Sequence, residues 1–365
     1  MKKEYIIPIF VPHLGCPNQC TFCNQKKISG QLKKVTAKDV EETIEYYLKN
    51  FKDKNKYVEV AFFGGSFTAI DVKEQEELLS VAHKYIENKK VNSIRISTRP
   101  DCIDKDILKR LKKYGVKTIE LGVQSANDYI LKQCKRGHTF EDVKKASKLI
   151  RWHRFVLGHQ MMVGLPESTK LDEINTAKAL IKLKPKIVRI YPVLVIKDTP
   201  LEEEYKNNEY SPLTVEQAVE TCKDIVDLFN KANIEVIRIG LQNTEEITDP
   251  QEKSSQVVAG PYHPAFRQLV EGRLWYDAIV QEIKKINVKV MQVKIIANQE
   301  NVNNRVEIEA NSKDLNNIIG HKKENILKLK EYYDVDVRVE ANDDIKPGKF
   351  KLEIEKTYQD FLNNK

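Results

Sequence analysis

No stretch of the 365-residue chain is apolar over the roughly 18–20 residues a membrane helix needs, so a spanning helix is not expected. The first apolar run, residues 6–11, is interrupted by Pro8, followed by Pro12, and has no small-residue cleavage site behind it. It reads as a strand rather than a secretion leader. Cysteine is sparse, six in all, and Cys102, Cys134 and Cys222 are scattered as buried thiols of a reducing compartment would be. A disulfide framework is therefore not expected, and the chain reads as cytoplasmic. Internal repeats and low-complexity segments are also missing. Acidic residues do not balance the basic ones: the formal net charge is +8. That excess suits a polyanionic partner such as RNA, though lysine-rich surfaces also serve solubility alone. What is present is ordinary for a globular protein, 41% apolar and 31% charged. The length allows one large catalytic domain and a smaller one.

Short β-branched or aromatic runs alternate with amphipathic stretches up to about residue 240. Strands are predicted at residues 6–11, 57–63, 93–97, 118–122, 156–163, 187–191 and 235–239. Helices are predicted at residues 37–50, 73–87, 105–114, 141–152, 171–183 and 215–232. This alternation argues for a parallel sheet, and six repeats suit a partial (β/α)6 barrel at least as well as a doubly wound sheet. Glycine-rich or polar turns follow several strands, and in a barrel the loops after the strands face one cavity. From about residue 250 the texture changes. A helix is expected at residues 269–284, then strands at 288–297 and 305–310, a helix at 315–333, and strands at 335–340 and 351–355. The expected division is a core domain (1–245), a linking segment (246–284) and a small α+β module (285–365).

Directly after the first strand, Cys16-Pro17-Asn18-Gln19-Cys20-Thr21-Phe22-Cys23 is C-x3-C-x2-C. Three thiolates in so short a loop suit an iron–sulfur cluster or zinc. With three cysteines one iron of a cubane is left open to bind a small molecule; the rival is zinc held by Cys16, Cys20, Cys23 and His13.

The triplet, with the aromatic Phe22 between its last two cysteines, resembles the signature of the radical SAM enzymes. That resemblance implies a 4Fe–4S cluster on Cys16, Cys20 and Cys23, with S-adenosylmethionine (SAM) chelating the open iron. Its reductive cleavage then gives methionine and a 5′-deoxyadenosyl radical. Gly64-Gly65-Ser66 resembles the glycine pair that receives the methionyl amino group, with Ser66 a small departure at the third place. Arg99 is a candidate for the SAM carboxylate or the substrate, Gln124 for the ribose or methionyl group, and Phe22 and Gly164 belong to the same cofactor cradle. Tyr191 is a candidate for radical control or substrate contact, or a barrel-closing aromatic. Arg136 and His138 fit substrate binding or loop architecture, and Lys26 and Lys27 fit RNA phosphates or plain exposure. His263 reads as packed between prolines.

The resemblance narrows further along the chain. Phe63-Gly64-Gly65-Ser66-Phe67-Thr68, Ser97-Thr98-Arg99-Pro100-Asp101, Glu120-Leu121-Gly122-Val123-Gln124-Ser125, Lys135-Arg136-Gly137-His138-Thr139 and Arg189-Ile190-Tyr191-Pro192 succeed one another. Together they are similar to the radical SAM core of the Elongator catalytic subunit family, which modifies the tRNA wobble uridine. That family has a longer cysteine loop and an acetyltransferase domain, for which this sequence shows no Gly-rich pyrophosphate loop after residue 250. In the small module Ile318-Ile319-Gly320-His321-Lys322-Lys323 resembles the G-x-x-G loop of a KH domain, with Lys323 at the second glycine position. Gly320, Lys322 and Lys323 are thus candidate RNA contacts; the alternative is a structural or dimerisation module. The expected function is a radical SAM enzyme acting on tRNA or other RNA with a low-potential electron donor. A small-molecule radical SAM enzyme and a non-catalytic Fe–S RNA-binding factor are the alternatives.

Overall fold

The computed structural model describes residues 3–11, 16, 19–24, 34–53, 55–297, 305–333 and 335–354, with backbone alone for 286–297 and 354. His13, Lys26 and Lys27 lie outside the described residues. The chain divides into two compact units, Met1–Pro264 and Ala265–Lys365.

The first unit is built on seven strands: β1 (Lys3–Phe10), β2 (Lys56–Phe63), β3 (Ser93–Thr98), β4 (Val116–Gln124), β5 (Val156–Val163), β6 (Ile187–Pro192) and β8 (Glu235–Ile239). They lie side by side in chain order, and every neighbouring pair is parallel. This is a partial (β/α) barrel, with a crossover between each strand and the next. A two-residue strand β7 (Val195–Ile196) pairs antiparallel with β9 (Val257–Ala259) beside it. The helices Ala37–Asn50, Phe140–Trp152, Lys170–Lys182 and Val215–Lys231 each begin with a capping box, on Thr36, Thr139, Thr169 and Thr214. Each box satisfies main-chain N–H groups that the first helical turn leaves unpaired, so helices start at fixed points after the strands.

The period of two along each strand separates two unlike faces. Val58, Val60 and Phe62 of β2, Ile94 and Ile96 of β3, and Ile119, Leu121 and Val123 of β4 are buried on the face that packs under the helices. His159 of β5 is on that face too, its Nε2 paired with the Ser147 hydroxyl at 2.9 Å. Burial pushes its imidazole down to about 3, so it stays neutral. The alternate residues carry charge. Arg95 Nε donates to Glu59 at 2.6 Å and its Nη1 to Glu120 at 2.7 Å; Arg189 Nη2 donates to Glu120 at 3.1 Å. Burial would raise the Glu120 carboxyl, but Arg189 and then Arg95 hold it below its usual range. Gly158 opens room for this chain, since a Cβ there would lie 2.8 Å from Glu120 Cγ.

In the second unit, the helix Phe266–Ala297 is followed by β10 (Arg305–Ala310), short helix Leu315–Ile319, helix Glu324–Tyr333, β11 (Asp336–Ala341) and β12 (Phe350–Ile354). The sheet order is β11-β10-β12, with β10 parallel to β11 and antiparallel to β12. Ile279, Ile283, Ile308, Ile318 and Leu329 form its core. Two sequence expectations are corrected here. Residues 288–297 continue the long helix instead of forming a strand. The alternating valines suit period two, but Ile286, Val290, Val293 and Ala297 also fall at helical spacing, and extending an existing helix avoids a new nucleus. The helix expected at 315–333 is broken at Gly320, whose φ is 79°.

Removing Glu120 leaves two guanidiniums buried without their shared counter-ion. Glu120→Gln is expected to lower unfolding stability by about 3–5 kcal/mol. Urea unfolding checks this, and a loss under about 1 kcal/mol would show that the ion chain is dispensable for stability.

Candidate functional site

The strands are parallel and in chain order, so their C-terminal ends share one edge, where the glycine-rich and polar turns gather. The cysteine segment is pinned there from two sides. Thr21 N donates to Cys134 O at 3.1 Å, and Leu201 N donates to Thr21 O at 2.9 Å. Cys20 and Phe22 are buried with Ile130, Cys134, Leu165 and Leu201. Cys16 and Cys23 are half-buried. None of the six cysteines is in a disulfide. Among the described residues no three His, Cys, Asp or Glu side chains converge on one point as metal ligands. Cys20 is brought to Arg136, whose Nη1 donates to its sulfur at 3.4 Å, and Cys16 lies within electrostatic reach of Cys20, Arg136 and Arg99.

After β2, Gly64 has φ 93°, and a Cβ there would lie 2.4 Å from the Val11 carbonyl oxygen, so no other residue fits. Gly65 is half-buried and Ser66 buried. Ser66 Oγ pairs with Thr98 Oγ1 at 2.8 Å and accepts from Arg99 N at 3.2 Å, tying this turn to the end of β3. Arg99, 1% exposed, gives Nε and Nη2 to the Asp101 carboxylate at 2.9 and 2.8 Å. Gln124 ends β4 in the left-handed region (φ 71°), with Oε1 accepting from Gln160 at 3.3 Å. Gly164 directly follows β5, with φ 83°; its N–H donates to the Glu173 carboxylate and its carbonyl accepts from Tyr210 at 2.6 Å. Tyr191 of β6 is half-buried, its hydroxyl 3.4 Å from Arg189 Nη1.

Electrostatically the edge is built for an anion. Arg99 Nη1 and Arg136 Nε are buried without a partner. Burial raises the Cys16 thiol, and Arg136 and Arg99 act against that rise. His138 is buried beside them; burial, then Arg136 and Arg99, push its imidazole down to about 3. These cationic groups beside the thiols fit a cluster held by thiolates and a carboxylate-bearing ligand next to it.

Sequence reading missed Asp101 as the partner of Arg99, and Glu173 and Tyr210 as the clamps on Gly164. Asp101 stands two residues from Arg99, within the same string; Glu173 and Tyr210 carry no local signal. Gly320, Lys322 and Lys323 lie in the other unit. Lys322 and Lys323 are exposed and adopt φ 50° and 64°.

A parallel partial barrel with a cysteine triplet after β1 and a glycine turn after β2 defines a class. The profile of the Radical SAM superfamily matches residues 10–180, and that of the Radical SAM C-terminal domain matches residues 185–276. The chain belongs to the radical SAM superfamily, whose cofactors are a 4Fe–4S cluster and SAM. It is 31% identical over 236 residues to an uncharacterised protein of Methanocaldococcus jannaschii, a match covering 62% of this chain and 72% of that protein. It is 33% identical over 183 residues to the tRNA uridine(34) acetyltransferase of the same organism, covering 45% of this chain and 34% of the acetyltransferase. The chain thus matches about a third of that enzyme's length. Its fold is that of the archaeal Methanocaldococcus infernus Elp3 lacking its N-terminus: TM-score 0.60, 24% identity, 77% of this chain and 64% of that one.

Glu173 supplies a pH test. Burial raises its carboxyl to about 7, against the Gly164 N–H and the Ser168 hydroxyl, which lower it. The folded state then keeps a proton that the unfolded chain releases above about 4.5, so stability falls as pH rises from there to about 7 and is flat beyond. Glu173→Gln is expected to remove this slope, worth at most about 3 kcal/mol. Unfolding curves of both proteins at pH 5 and 8 check it; parallel pH dependence would refute it.

Proposed function

We propose that the chain is an enzyme that cleaves SAM reductively and modifies an RNA, with a tRNA base as substrate. When bound, the cluster and SAM supply one-electron chemistry that yields a 5′-deoxyadenosyl radical. Cys16, Cys20 and Cys23 hold the cluster. The Gly64-Gly65 turn receives the methionyl amino group, and Arg99, through its unpartnered Nη1, takes the carboxylate. Gln124 and Gly164 line the cofactor, and Tyr191 faces the substrate. Phe22 seals the cysteine loop against the core and excludes water from it. In this reading Met1–Pro264 form the radical core, and Ala265–Lys365, whose core takes in Ile279 and Ile283 of the stretch expected to link, form a KH-like module that presents Gly320, Lys322 and Lys323 to the phosphate backbone.

The observation that carries the proposal is the pair of unpartnered guanidinium nitrogens, Arg99 Nη1 and Arg136 Nε, beside the cysteine loop, in a chain 33% identical to a tRNA uridine(34) acetyltransferase over 45% of its own length. A low-potential donor must deliver the electron. Among the described residues no helix is long and apolar enough to cross a membrane; a cytoplasmic location remains part of the proposal.

The test is anaerobic reconstitution of the full chain, followed by assay of iron, sulfide and 5′-deoxyadenosine with dithionite and SAM. About four irons per chain are expected, with SAM cleavage lost in Cys20→Ala and stimulated by total tRNA. Zinc in place of iron, or cleavage indifferent to tRNA, would overturn the corresponding half of the proposal. In a separate binding assay, replacing Lys322 and Lys323 by Ala is expected to weaken tRNA affinity and reduce the log–log salt slope by about two. An unchanged slope would remove the module from RNA contact.

A further inference from the structure

Arg136 is 7% exposed, too enclosed to greet a substrate. Its main-chain N–H is fixed on Leu131 O at 2.9 Å. From there its fork bridges two elements: Nη2 donates to Gly122 O at 2.7 Å on β4, and Nη1 donates to the Cys20 sulfur at 3.4 Å. Gly122 is what permits this, because a Cβ at that position would lie 2.8 Å from Nη2. The same short segment holds the cysteine loop a second time, through Cys134 O and Thr21 N. Sulfur and guanidinium are thus held at hydrogen-bond distance by a scaffold on both sides.

We infer that Arg136 is a positioning residue for the cluster: its guanidinium donates to the Cys20 sulfur and makes the cluster easier to reduce. The inference rests on Cys20 being a cluster ligand, as the proposed function has it. On reduction one electron from a low-potential donor enters the cluster and adds one negative charge, part of it on the ligand sulfurs. A fixed cation and an N–H donor at one sulfur stabilise that added charge more than the oxidised state. A planar fork satisfies Gly122 O and Cys20 Sγ together, which an ammonium on a flexible stem does less well.

The experiment is a dithionite titration of the reconstituted full chain, with the reduced cluster followed by electron paramagnetic resonance. Arg136→Gln is expected to lower the reduced-to-oxidised ratio about tenfold at a given ambient potential, or about 59 mV for one electron. Arg136→Lys should fall between the two. Gly122→Ala, which displaces the fork without removing its charge, should shift the midpoint in the same direction. Wild-type midpoints in Arg136→Gln and Gly122→Ala would overturn the inference. If Arg136→Gln binds no cluster, Gly122→Ala decides; loss of the cluster in every variant would also overturn it, leaving Arg136 a role in assembly alone. A wild-type chain that takes up no cluster would instead defeat the proposed function.

Discussion

The ion chain Glu59–Arg95–Glu120–Arg189 is the constraint on which the site depends. A parallel sheet covered by helices has one face that must be apolar, and here Ile94, Ile96, Ile119 and Leu121 supply it. The other face carries charge on four strands, β2, β3, β4 and β6, that also lead into site residues. With a period of two, Arg95 and Arg99 point the same way along β3 and its exit, as do Glu120 and Gln124 on β4 and Arg189 and Tyr191 on β6. The network lies directly beneath the residues assigned to the site, and Arg189 reaches up to the Tyr191 hydroxyl. Well-packed apolar residues would often stabilise the fold as well as buried charges do. What the charges provide instead is a polar floor of fixed donors and acceptors, which an apolar barrel filling would not.

That floor works because each charge is matched. Glu120 accepts from two arginines, and Glu59 accepts from Arg95, Ser93 and Thr118. The two orphaned guanidinium nitrogens, Arg99 Nη1 and Arg136 Nε, occur one layer higher, beside the thiols. Full satisfaction below and unsatisfied donors above is the pattern of a rigid support under a ligand site.

How much of this was legible follows from sequence distance. The cysteine triplet, the Gly64-Gly65 turn and the Arg99-Pro100 exit are local strings whose chemistry is carried by neighbours in the chain. The strands were legible because β-branched runs repeat between helical stretches. The hydrogen bond from Arg136 to Cys20 joins residues far apart in sequence, and nothing in R-G-H-T says which thiol its arginine reaches. The Glu173 clamp on Gly164 was equally hidden, since its carboxylate sits in a helix that reads as an ordinary capped surface helix. Residues 288–297 were misread because their pattern satisfies two periods at once, and a preceding helix decides between them.

The loop of the second unit poses the converse case, where the residue types mislead and the backbone instructs. A second glycine in the G-x-x-G pattern would permit positive φ; here Lys323 takes φ 64° and Lys322 takes φ 50° without it. Each left-handed lysine costs about 1–2 kcal/mol. The turn is held by Asn325, whose Nδ2 donates to Gly272 O, Asn317 O and Ile318 O at 2.8, 3.1 and 3.1 Å. Gly320 admits that side chain, since a Cβ there would lie 3.0 Å from Asn325 N and 2.9 Å from its Cγ. A strained turn held by a buried asparagine is stiffer than a glycine loop, so two exposed ammonium groups leave it from a fixed backbone. Replacing the second glycine by lysine thus exchanges close main-chain approach for charge, and under the RNA-binding reading favours phosphate attraction over a fitted clamp.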